Sequence, residues 1–162
     1  MKIYGEGIAN ISESGQMLDV YFPNIEFGEH KTDYKTLQVN SGTQEIIKFE
    51  WTKSDLDKPI NKISDAYFKL HLISNKFVLP NTINLDGLFE CLPNVVWTNK
   101  GPISINEIEG KLNESKCGNN DLFIRSLDKF PCLTDYIIPK KVRIADASRV
   151  RLGAYLSEGT TI

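Results

Sequence analysis

IADASRVRLGAYLSEGTTI, residues 144–162, decides how the rest of the chain is read. Ile144, Val150, Leu156 and Ile162 recur every six positions, and Ile138 extends the series back by one step. Four residues after each comes a small or β-branched side chain: Val142, Ser148, Ala154 and Thr160. Asp146-Ala147, Leu152-Gly153 and Glu158-Gly159 stand between them as turn-formers. A beat of six fits neither the helical period of 3.6 nor the strand period of 2. It predicts a chain that makes a short strand, turns a corner and repeats, as in a hexapeptide β-helix.

Upstream, the pattern is that of an α+β domain. Lys2 to Ile11 and Gln16 to Phe27 read as a hairpin around Glu13-Ser14-Gly15, and Leu37 to Val39 with Glu45 to Trp51 as a second. Ile47, Phe49 and Trp51 alternate with Lys48 and Glu50, a half-buried strand pattern. Ile63, Ala66, Tyr67, Leu70, Ser74 and Phe77 follow helical spacing, with Lys62, Asp65 and Lys69 off the stripe. Phe68, Leu72 and Ile73 add a second stripe, so the helix is expected to be buried on more than one side, with His71 as a packing residue. Val95-Val96-Trp97 predicts a compact strand, and Ser104 with Glu107 a capping box for a helix to about Glu114. Gly118-Asn119-Asn120 marks a loop. The expected organisation is an α+β domain over residues 1–125, a connector over 126–141, and the first coil of a β-helix over 142–162.

Composition narrows the function classes. A net charge of −2 gives no basic balance for nucleic acid. Cys91, Cys117 and Cys132 form no CxxC pair and read as free thiols of a reducing, cytoplasmic compartment. No apolar run approaches the roughly 18 residues of a membrane helix. Ile162 opens a new hexapeptide, and one coil buries its apolar face only against a next one. The chain is therefore expected to be part of a longer product, and by itself a monomer or weak dimer.

Leu127-Asp128-Lys129-Phe130-Pro131, Val142-Arg143-Ile144 and the run RVRLGAYLSEGTT at 149–161 resemble the tetrahydrodipicolinate N-succinyltransferases, especially the branch of mycobacteria and campylobacters. A weaker match runs from Ile83-Asn84-Leu85-Asp86-Gly87 to Trp97. The resemblance covers residues 63–162 well and the first sixty poorly. It implies a left-handed parallel β-helix and a cytosolic homotrimer with active sites between neighbouring β-helices. It also implies transfer of succinyl from succinyl-CoA to ring-opened tetrahydrodipicolinate in lysine and diaminopimelate synthesis, with Mg2+ as a candidate metal of the parent enzyme. No catalytic residue is expected within 1–162, so the chain alone should be inactive.

A dicarboxylate substrate calls for fixed cations, and the guanidinium fork suits a carboxylate. The resemblance places Arg143 where the wider family holds a substrate carboxylate. Arg151 is a second candidate, and Arg149 stands beside it; outward-facing positions that solubilise the coil are the alternative for all three. Glu158 is a corner residue, either solvated or a metal or acid group at a threefold axis. Asp128 and Asp135 are expected to cap or turn, and Cys132 to be structural. Another hexapeptide acyltransferase, or a non-catalytic assembly domain, remains an alternative.

Overall fold

The computed structural model describes residues 1–33, 37–118 and 120–162. Strands β1 (Lys2–Ile11), β2 (Met17–Gly28) and β3 (Gln44–Thr52) form an antiparallel sheet in the order β2-β1-β3. The first hairpin is the expected one. The second is not: residues 37–40 carry no strand, and β3 pairs with β1 instead, Gly5 opposite Phe49. Burial explains the choice, since Ile3 to Gly7 and Ala9 of β1 are buried and the strand is satisfied only in a central position. Tyr34, Lys35 and Thr36, which precede the expected strand, lie outside the described residues.

Lys53–Leu56 (α1) turns the chain toward α2 (Ile63–Ser74), which lies across the sheet. Every residue of α2 from Ala66 to Ser74 is buried, which accounts for its two apolar stripes. Phe68 rests at 4.9–5.0 Å between ring centroids from Phe22, Phe49 and Trp51. Gly5 makes that possible, because a Cβ there would stand 2.3 Å from the Phe68 ring. The helix ends three residues before Phe77. Asn75 caps it, Lys76 takes a left-handed φ of 65°, and Phe77 leaves to stack on Phe27 at 5.4 Å.

Lys69 departs from its expected place off the apolar stripe: it is 1% exposed. Its Nζ donates to the carbonyls of Lys58 (2.6 Å), Asn84 (2.8 Å) and Leu56 (3.3 Å). Three donors meet three acceptors, so the buried ammonium ties three loop carbonyls to the helix without leaving a group unpaired.

A second antiparallel sheet has the order β5-β4-β6, from β4 (Val95–Thr98), β5 (Gly101–Ser104) and β6 (Ile124–Asp128). A short helix, α3 (Leu88–Cys91), precedes it and α4 (Ile108–Gly118) covers part of it. Val95 and Trp97 join the main core, whereas Val96 meets Ile103, Leu122, Ile108 and Leu112 under α4. The expected capping box is absent. Ser104 closes β5, a turn intervenes, and its buried hydroxyl has no partner among the described residues. The Glu107 carboxylate instead accepts from the Glu13 backbone at 2.9 Å. The helix starts and ends about four residues later than expected, and Asn119 of the loop signal lies outside the described residues. Strand β6 runs through residue 125, where the sequence reading ends the first domain. Mixed α/β architecture with antiparallel sheets is thus the fold of this part of the chain. No helix among the described residues is long and apolar enough to cross a membrane.

Candidate functional site

The last thirty-odd residues wrap around a small aliphatic cluster. Leu133, Val150 and Leu156 are buried together, with Ile137, Val142, Ile144 and Ala154 against them. The six-residue series thus points inward at 144, 150 and 156. Ile138 does not belong to it: it is 88% exposed, and Ile137 packs in its stead. The 3-10 turn Leu133–Asp135 shifts the phase there, with the Tyr136 and Ile137 amides both donating to the Leu133 carbonyl.

Two sets of backbone bonds hold this segment. On one side residues 131–133 lie antiparallel to 150–152: Leu133 N donates to Val150 O and Leu152 N to Pro131 O, each at 3.0 Å. On the other, Arg143 and Thr161 form a parallel bridge, with Arg143 N to Thr160 O and Ile162 N to Arg143 O at 2.9 Å.

Side chains then dock the segment on the upstream unit. The Ser74 hydroxyl, at the end of α2, donates to Ala154 O (2.9 Å) and accepts from Gly153 N (2.7 Å). Gly153 has a φ of 106° and lies so close to Leu70 that a Cβ would stand 2.6 Å from its methyl, so only glycine fits. Tyr136 reaches in to donate to the buried Asp19 at 2.5 Å, and Asn10 donates to the other carboxylate oxygen at 2.8 Å. Burial pushes the Asp19 carboxyl above its usual value, against the pull of those two bonds. His71 lies 5.6 Å from Tyr136, ring to ring. Its Nδ1 lies 2.6 Å from the Tyr67 carbonyl, and Nε2 accepts from Phe22 N at 3.2 Å. The neutral tautomer with a proton on Nδ1 satisfies both contacts, and burial lowers its pKa to about 4. His71 is a buried packing residue, as its sequence context suggests.

Beside this junction opens a cleft of about 790 Å³ between the start of β6, the 3-10 turn Leu133–Asp135, the 3-10 turn Ala147–Arg149 and Arg151. Arg151 is fixed in it. Its Nε donates to Asp128 at 3.0 Å, and its terminal nitrogen meets the Cys132 sulfur at 3.4 Å and the Ser148 carbonyl. Arg125 pairs with Asp135 at 3.0 Å. Asp128 and Asp135 are therefore counter-ions as well as turn residues. Arg149 lines the same cleft; its side chain makes no hydrogen bond or ion pair among the described residues, although its charge helps, after the Ser148 hydrogen bonds, to lower the pKa of the neighbouring Asp146.

Arg143 is exposed and is not among the residues lining the cleft. Glu158 is exposed too, 3.6 Å from Lys141. The structure thus brings Arg149 and Arg151 together and leaves Arg143 and Glu158 apart from them. Arg125 escaped the sequence reading. The signal for it was available: all four arginines of the chain lie within residues 125–151.

Comparison with known proteins agrees with this architecture. Residues 92–131 match the family model described as tetrahydrodipicolinate N-succinyltransferase, middle. A 2,3,4,5-tetrahydropyridine-2,6-dicarboxylate N-succinyltransferase of Salinispora tropica is 36% identical over 98% of this chain and 54% of its own length. One from Pseudomonas putida is 47% identical over 65% of this chain and 31% of its own length. A Campylobacter jejuni crystal structure described as a 2,3,4,5-tetrahydropyridine-2-carboxylate N-succinyltransferase superposes with a TM-score of 0.78 at 22% identity, over 98% of this chain and 55% of that one. The chain spans about half the length of the relatives that match it end to end. By its matched residues and its fold, the chain belongs to the tetrahydrodipicolinate N-succinyltransferase family.

Proposed function

We propose that the chain supplies the N-terminal part of an enzyme that moves succinyl from succinyl-CoA to the amino group of ring-opened tetrahydrodipicolinate, a step toward diaminopimelate and lysine. The observation that carries this is the 36% identity to the Salinispora relative, sustained over 98% of the chain. In this reading residues 142–162 are the first coil of a left-handed β-helix, after a domain over 1–125 and a connector over 126–141. Support comes from the offset of eighteen positions, three hexapeptides, from Arg143 to its bridge partner Thr161. The inward row of Ile144, Val150 and Leu156 supports it too.

Arg143 is the first candidate to hold a substrate carboxylate, since its side chain is exposed and makes no hydrogen bond or ion pair among the described residues. Arg151 is second, because its guanidinium is already held by Asp128. Glu158 is kept as a candidate metal or acid group where subunits meet on a threefold axis; within one chain no three His, Cys, Asp or Glu side chains converge among the described residues, and no step is assigned to Mg2+. A homotrimer would cover exposed apolar side chains such as Leu127, at 62%, and Ile138, at 88%. The same exposed residues favour a second reading, an assembly domain without chemistry of its own. The isolated chain is then a monomer or weak dimer by sedimentation.

The test joins residues 1–162 to the remaining half of the Salinispora relative and follows CoA release. A folded chimera that releases CoA only when tetrahydrodipicolinate is present supports the reading, and the isolated chain should release none. A folded but inactive chimera would sink it in favour of the assembly domain.

A further inference from the structure

The chain carries 19 basic residues, of which only Arg125, Arg143, Arg149 and Arg151 are arginine; the first 124 residues use lysine alone. Three of those four line one cleft at the docked tail. Lysine solubilises a surface as well as arginine does. Arginine differs in presenting a rigid fork of donors that matches a planar or tetrahedral oxyanion. We propose that this cleft is a binding site for a small oxyanion, a carboxylate or a phosphate, anchored by Arg149 and Arg125.

The residues divide the work. Arg151 is held through Nε and one terminal nitrogen by the Asp128 carboxylate, the Cys132 sulfur and the Ser148 carbonyl, so it forms a fixed wall with only its other terminal nitrogen left to donate. Arg125 is half committed: one terminal nitrogen holds Asp135, and the pair is open to water with 52% and 38% of the side chains exposed. Such a water-exposed pair is weak, so an incoming anion displaces or shares it readily. Arg149 has no hydrogen bond or direct ion pair on its guanidinium among the described residues, only the through-space attraction of Asp146.

Its backbone is nonetheless ordered. The Asp146 carboxylate accepts from Ser148 N (3.1 Å) and from the Ser148 hydroxyl (2.5 Å), and these bonds fix the 3-10 turn that ends at Arg149. The hydroxyls of Ser126 and Thr134 line the cleft without partners among the described residues and serve as further donors. Asp128 and Asp135 are each set directly against one arginine, whereas Asp146 is engaged by Ser148 and acts on Arg149 only through space, which leaves the Arg149 fork open to a ligand. A volume of about 790 Å³ is ample for a small ligand. None of this depends on succinyl transfer, so the cleft can bind its anion even if the proposed reaction is wrong.

The experiment titrates the 162-residue chain at low ionic strength with succinate and, separately, with inorganic phosphate, and follows the arginine Nε–Hε signals. Saturable shifts of Arg149 and Arg125 are expected in the millimolar range, with Arg151 nearly still. Saturation by succinate alone identifies a carboxylate site; saturation by phosphate alone, or by both, identifies a general oxyanion site. Arg149→Ala should weaken binding about tenfold, which is ~1.4 kcal/mol. Arg149→Lys keeps the charge but loses the fork and should fall between. Lys140→Ala removes a charge from an exposed position outside the cleft and should leave affinity unchanged. Shifts that never saturate, or equal losses in the Arg149→Ala and Lys140→Ala variants, would overturn the site and leave only diffuse charge attraction.

Discussion

The upstream unit encloses an aromatic core, whereas residues 129–162 enclose only a small aliphatic one. Phe22, Phe49, Trp51 and Phe68 form a ring cluster across the first sheet and α2, each packing on at least two of the others with centroids 4.9–5.8 Å apart. The tail has Leu133, Val150 and Leu156, and it gains the rest of its order by docking on α2 and β2. The first region is therefore expected to fold by its own burial, the second largely by what it leans on. Phe68→Ala tests the first half of that difference and should show the largest effect. It removes a fully buried ring from the centre of the aromatic cluster and should cost about 4 kcal/mol in urea unfolding. Both regions should lose stability together; a tail that keeps its amide protection while the sheet melts would contradict the dependence.

Leu133→Ala tests the other half. It empties the one fully buried position of the small cluster and should cost about 3 kcal/mol within the tail. Hydrogen exchange should quicken at residues 142–162 and stay slow in β1. Equal quickening in both would mean that the two regions unfold as one.

Acid should act mainly where the regions meet. His71 has its pKa lowered by burial from 6.5 to about 4, so the unfolded chain takes the proton first. Its contribution is present above pH 6.5 and is lost as the pH falls toward 4, about 3 kcal/mol at most. Asp19 works in the other direction: its raised value gives stability at low pH that is lost as the pH rises through that value, and it opposes the His71 slope. A non-titrating His71→Gln should be less stable at pH 7 and flatter between pH 6.5 and 4. An unchanged slope would remove His71 from the explanation.

Much of this was legible in the residues themselves. Period 2 in β3 and the double stripe of α2 announce their elements, because each pattern reports one burial geometry. The inward row of Ile144, Val150 and Leu156 is legible for the same reason. Lys69 was not legible, since a lysine among apolar residues is buried only when three distant carbonyls converge on it, and no local pattern records that. The partner of β3 was equally hidden, as strand pairing is decided by which strand must be satisfied on both edges. In the cleft, Arg149 and Arg151 are close in sequence and were read together. Arg125 arrives from another sheet, and only the fold brings it to them.

Ser74→Ala isolates the smallest of the junction's terms and the most specific. The hydroxyl is 4% exposed and faces two backbone groups of the tail, one donor and one acceptor. Its removal leaves the part-buried Gly153 amide and Ala154 carbonyl facing a methyl. The expected cost is about 2 kcal/mol, the penalty of stranding such groups rather than the net worth of two hydrogen bonds. Because Ser74 sits at the end of α2, where Asn75 already caps the helix, α2 itself should keep its helicity by circular dichroism. The loss should surface as faster exchange at Gly153 and in residues 142–162. Ser74→Thr keeps the hydroxyl but must place a methyl in a buried site, so it should recover part of the protection and not all of it. If the alanine variant left the tail's exchange unchanged, the tail would be held by its own cluster after all, and the contrast between the two regions would be one of core size alone.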